Sequence, residues 1–243
     1  MLRSRARTVL GLICCALLLP AAIQAKKPKQ AAVRWTANAP GCTYARTADG
    51  HLRWTMSDED LDISLVVDSK ELARSRQRFR HPFSLYLGVH YKGQDSFVFE
   101  QNLWLQFVLH HKVAESYLDP AEFQNHLQND LDTEVFETER KIRKHPELKD
   151  AETARLQQYE KIGAEFIEFL TRESLAPATL NPGNPEVHGW VYFGTKNKWI
   201  GSFHEHEDFV LEVRTKDKIW QFPFALPPGD AEPALRNPDD EHP

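Results

Sequence analysis

Apolar and polar residues alternate one by one through several separate runs of this chain, and that period of two constrains its fold more than any other feature. In a strand, successive side chains point to opposite faces, so each such run describes a strand with one buried face. Leu61, Ile63, Leu65 and Val67 oppose Asp62, Ser64, Val66 and Asp68. After Pro82, the residues Phe83, Leu85, Leu87, Val89 and Tyr91 share a face, and Leu103, Leu105, Phe107 and Leu109 do so after the turn residues 92–96. Phe209, Leu211 and Val213 then oppose Val210, Glu212 and Arg214, and Trp220, Phe222, Phe224 and Leu226 line up next. Shorter strands are expected at 32–36, 43–46, 52–56 after an Asp49-Gly50 turn, 97–100 and 199–203. Short strands at spacings of about 8 to 12 residues predict an antiparallel β-sandwich, loosely immunoglobulin-like in architecture. The arginine-rich residues 69–80 are expected as a turn of helix on the surface.

At Asp119 the period changes. Asp119-Pro120-Ala121-Glu122 supplies an N-cap, a proline at the first helical position and an acid at N3, which together suit the free amides of a helix start. Phe123, Leu127, Leu131 and Val135 recur every four residues, which gives that helix one apolar stripe. His145-Pro146 interrupts it, and a second helix is expected from about 150 to 175, with Leu156, Tyr159, Gly163, Phe166 and Leu170 on its apolar face. A short break between two amphipathic helices implies an antiparallel hairpin inserted into the β-fold. Each stripe is expected to pack against the other helix and the strands, since tertiary burial is what stabilises such helices. Pro177, Pro182 and Pro185 with Asn181, Gly183 and Asn184 read as a return loop without regular structure.

The ends set the compartment. Residues 1–25 combine Arg3, Arg5 and Arg7, an apolar run from 9 to 19, Pro20 and a small-residue end at Ala25, the layout of a secretory signal peptide. The run is too short to span a bilayer, which needs about 20 residues. The expected organisation is therefore a signal peptide over 1–25, the first part of the sandwich over 26–118, the helical hairpin over 119–175, the closing strands over 176–226 and a disordered tail rich in proline and acid over 227–243. The formal net charge of −5 becomes −8 once the three arginines of the signal, which contains no acid, are removed. Such a chain lacks the electrostatic footprint of a nucleic-acid binder or of a protein held on an anionic membrane. Only Cys42 remains beyond the signal, so no internal disulfide is expected and Cys42 is expected to be buried.

His204-Glu205-His206-Glu207-Asp208 is the sharpest local motif. On an extended segment His204, His206 and Asp208 fall on one side, where two imidazoles and a carboxylate suit zinc, copper or nickel, while Glu205 and Glu207 point away. The competing reading is a solvated acidic turn between two strands. His110, His111 and His188 are the other histidines considered near it, and Asp58-Glu59-Asp60-Leu61-Asp62 lacks the glycine and distal glutamate of an EF-hand loop. There is no G-x-S-x-G elbow, phosphate-cradling glycine loop or Rossmann fingerprint. Trp190 and Tyr192 lie on the opposite parity from Val191 and Phe193, so that strand carries large apolar groups on both faces and is expected to be covered by the hairpin. These features point to a secreted or periplasmic, non-catalytic binding module for a protein, peptide or carbohydrate. The alternative is a metal-binding protein or metal-dependent hydrolase built on residues 204–208.

Overall fold

The computed structural model describes residues 30–47, 51–75, 80–109, 112–194 and 206–226. The strands among these residues are β1 (Ala31–Arg34), β2 (Cys42–Arg46), β3 (Leu52–Ser57), β4 (Leu61–Val67), β5 (Phe83–Tyr91), β6 (Phe97–Phe99), β7 (Leu103–Phe107), β8 (Val113–Ser116), β9 (Ala178–Leu180), β10 (Glu186–Phe193), β11 (Glu207–Arg214) and β12 (Lys218–Leu226), and they include the main period-two runs. One five-stranded sheet has the order β10-β5-β4-β3-β2, a second the order β1-β12-β11-β7-β8, and β6 pairs with β9. The inward residues of both large sheets join one core. Phe83 of β5 meets Phe209 of β11 with ring centroids 5.1 Å apart, and Trp54 of β3 meets Phe224 of β12 at 5.8 Å. The predicted strand at 199–203, the Asp49-Gly50 turn, the signal and the tail lie outside the described residues.

Four expectations are corrected. β1 pairs with β12 in parallel, because apolar alternation specifies a strand's faces but not its direction. β8 is an added edge strand; its short, exposed sequence carries no apolar alternation, and only Glu115 turns partly inward. The return loop contains β9, whose Leu180 is fully buried while its proline and asparagine neighbours turn the chain. The helix α1 (Ser69–Ser75) is no surface turn: Leu72 enters the core and Glu71 is buried beside Arg74.

The hairpin is α2 (Pro120–Lys144), a 3₁₀ turn at Pro146–Leu148 and α3 (Lys149–Glu173). Asp119 caps α2 as expected, its Oδ1 accepting from the amides of Ala121 and Glu122 at 2.9 Å. Phe123 and Leu127 of α2 and Phe166 and Leu170 of α3 close over Tyr192 in a second small core. The hairpin therefore covers β10 on its outward face. β10 is at the end of its sheet rather than the centre, and both roots of the hairpin close its free edge. The Leu118 amide donates to Tyr192 O at 2.8 Å and the Leu175 amide to Trp190 O at 2.9 Å, which removes an exposed edge. Gly189 is required there: a Cβ would lie 2.5 Å from Leu175 N.

Farther from the sheet the seam between the helices turns polar. Thr138 and Glu152 are buried where an apolar stripe would continue. Arg155 donates to Glu152 at 3.1 Å, to Glu134 at 2.5 Å and to Thr138 at 2.9 Å, and Lys141 pairs with Glu152.

Candidate functional site

The hairpin covers only part of the outward face of the β10-β5-β4-β3-β2 sheet. The register shows what remains open. His188 stands opposite Gly88, Gly88 opposite Ser64, Ser64 opposite Thr55, and Thr55 opposite Thr43. This row crosses all five strands, a length of about 19 Å at the usual spacing between neighbouring strands. One neighbouring row is Trp190, Tyr86, Val66, Arg53 and Ala45, and the other is Glu186, His90, Asp62 and Ser57. The middle row consists of small or absent side chains after His188, while the flanking rows carry large ones on β10 and β5 and at Arg53, and small ones at Ala45 and Ser57. The register thus outlines a shallow groove across the strands, walled at its β10 end and open toward β2.

Gly88 forms its floor without being demanded by the fold. Its φ is not positive, and a Cβ would meet only side-chain atoms, Ser64 Oγ at 2.8 Å and His188 Cβ at 3.8 Å. A glycine inside a strand weakens it and often marks close approach of a ligand or another backbone, and here no backbone is near.

Tyr86 forms the aromatic wall. Its ring meets Trp190 edge-on at 5.4 Å and lies 6.0 Å from His188, while Trp190 also packs on Phe169 of α3 at 6.1 Å. Partial burial raises the Tyr86 phenol above its ordinary pKa, with Glu173 adding to the effect, so the hydroxyl remains a hydrogen-bond donor near neutral pH. On the opposite wall, burial raises Asp62 but the hydrogen bond from Lys92 at 2.8 Å and further contacts outweigh it, and the carboxylate stays below the usual range.

His204 and Glu205 lie outside the described residues, as do His110 and His111. His206 Nε2 is 2.8 Å from Asp208 Oδ1, with more than half of the imidazole exposed. Glu207 does point the other way, but it is not solvated: it is fully buried and accepts from the Leu109 amide at 2.6 Å. Among the described residues no group of three His, Cys, Asp or Glu side chains is placed to hold a metal ion. Cys42 is half-buried and packs against the main core. Asp58 takes the amides of Asp60 and Leu61 and the ammonium of Lys218 at 2.5 Å, so the acidic run is a capped turn with its own cations.

A second concavity of about 500 Å³ lies between β6 and the β11–β12 turn, lined by Val98, Glu100, Asn102, Arg214 and Lys216 among others. Arg214 is already engaged there, donating to Glu212 at 2.7 and 3.1 Å and lying over Trp104.

The groove residues Gly88, Ser64, Thr55, Thr43 and Tyr86 escape sequence reasoning as a site. The available signal is a lone glycine within the nine-residue run Phe83–Tyr91, at a position whose neighbours otherwise alternate. No protein-family model matches the chain, and neither a curated protein nor a solved structure is found to be similar to it.

Proposed function

We propose that this chain is an exported, non-catalytic binding module, built on an immunoglobulin-like β-sandwich, that receives its ligand on the open face of the β10-β5-β4-β3-β2 sheet. The observation that carries the reading is the Gly88 groove with Tyr86 on its wall. The immunoglobulin-like assignment is supported by strand pairing: β4, β5 and β10 adjoin as strands A, B and E do in that fold, and β7, β11 and β12 as C, F and G do. Export is supported by the signal-like residues 1–25; fused to a reporter active only outside the cytoplasm, they are expected to confer activity.

The binding test is a screen of the purified protein against glycan and peptide arrays, repeated with Gly88→Val. Loss of the bound signal in the variant, with its melting temperature retained, supports the reading; an unchanged signal refutes it. A metal-dependent function remains the second reading, supported by the 2.8 Å His206–Asp208 contact. Titration with zinc, copper and nickel, comparing wild type with His206→Ala, tests it, and equal weak binding by both proteins counts against it.

A further inference from the structure

We infer that the groove takes a neutral, linear oligosaccharide. This rests on the open sheet face being the binding site and adds the chemistry of its ligand. Three observations carry it.

The first is the floor. Ser64, Thr55 and Thr43 stand in one row, and among the described residues none of their hydroxyls has a hydrogen-bond partner in the protein. A hydroxyl both donates and accepts. A line of unengaged hydroxyls matches a chain whose own groups are hydroxyls, because either polarity of each contact is allowed. Tyr86 supplies an apolar ring with a polar tip beside this row, the amphipathic character that suits the two faces of a sugar ring.

The second is charge. Around the groove Arg53 and Lys92 stand against Asp62, Glu186 and Glu173, with Lys92 and Asp62 already paired. A surface of mixed sign with one acid in excess disfavours a polyanion and presents no run of acids for a polycation, since complementary potential is what steers and discriminates charged partners.

The third concerns peptides. An extended peptide gains its affinity from main-chain hydrogen bonds at a sheet edge. The Gly88 row crosses the face of five paired strands and offers side chains instead. The row's length of about 19 Å suits a chain of several rings lying across the strands and leaving at the open β2 end.

The test is isothermal titration of the purified protein with cellohexaose, xylohexaose, maltohexaose and chitohexaose, alongside an oligogalacturonate as the anionic control and a peptide phage library. At least one neutral hexasaccharide is expected to bind, with affinity reduced at least tenfold by Gly88→Val and by Tyr86→Ala, severalfold by Thr55→Val, and not at all by Lys216→Ala in the other cleft. Circular dichroism confirms that each variant is folded. If peptides bind in a Gly88-sensitive manner and no neutral oligosaccharide does, the ligand class is wrong while the surface assignment survives. Binding of an oligosaccharide that Gly88→Val leaves unchanged removes the surface assignment and the inference together. The absence of binding to every neutral hexasaccharide overturns the inference on its own.

Discussion

Two glycines in neighbouring strands of the same sheet are predicted to respond very differently to the same small substitution. In Gly189→Ala the new methyl would lie 2.5 Å from Leu175 N and 2.6 Å from Leu175 Cα, where non-bonded carbons normally sit about 3.5 Å or more apart. The Leu175 backbone must therefore retreat by roughly 1 Å. That retreat breaks its 2.9 Å hydrogen bond to Trp190 O and loosens one root of the hairpin. Overpacking costs about 1–3 kcal/mol and an unsatisfied buried amide about 1–3 kcal/mol, so the variant is expected to lose about 2–6 kcal/mol. At about 2–4 °C per kcal/mol for a chain of this size, the melting temperature falls by roughly 4–24 °C. In Gly88→Ala the methyl meets only Ser64 Oγ and His188 Cβ. The hydroxyl rotates away, and relief of the strand glycine's entropic penalty of roughly 0.5–1 kcal/mol offsets the contact. Stability should stay within about 1 kcal/mol of wild type. Thermal and urea unfolding followed by circular dichroism measure both, and amide exchange at Leu175 localises the first. Equal destabilisation by the two substitutions would show that Gly88 serves the fold, and the reason for assigning it to a ligand would disappear.

Three further outcomes follow from the hairpin. Phe166→Ala opens a void against Phe123, whose ring centroid is 5.8 Å away, and should cost about 3–5 kcal/mol in chemical denaturation; a loss below 1 kcal/mol would contradict the packing of α3 on the sheet. Asp119→Ala removes the acceptor for two α2 amides and should cost about 0.5–2 kcal/mol, with faster exchange confined to the first turn of α2. Acid should loosen the polar half of the hairpin first. The hydrogen bond from Lys141, then that from Arg155, holds Glu152 below its ordinary range against the effect of burial, and the Arg80 hydrogen bond does the same for Asp130. A depressed folded-state pKa gives stability that is fully present above the ordinary carboxylate range and is lost as pH falls from that range through the depressed folded-state value. Exchange in 134–155 is therefore expected to rise below about pH 4 while β5 and β11 stay protected, and protection that does not change with pH refutes the ionic seam.

The sequence shows the elements well where one physical signal dominates. The bounds of β5 follow from its alternation, the start of α2 from Asp119-Pro120, and the interruption of the hairpin from His145-Pro146. It is silent where pairing decides. β1 and β12 lie at opposite ends of the described chain and join in parallel, and β9 becomes a strand because β6 is beside it. The groove is the extreme case. Thr43, Thr55, Ser64, Gly88 and His188 are scattered through five strands, and each alone resembles any outward-facing residue; only the register makes them a row. The His204–Asp208 motif is the reverse, conspicuous in sequence, yet with Glu207 drawn into the interior by the Leu109 amide.

The central claim is that ligand lies along the groove, and chemical-shift mapping tests it most directly. In 15N-labelled protein titrated with the best-binding hexasaccharide, the amides of Thr55, Ser64, Gly88 and His188 are expected to shift together and saturate at one common Kd, while those of Val98–Glu100 and Arg214–Asp217 stay still. Shifts concentrated in that second cleft, with the Gly88 row unmoved, would contradict it.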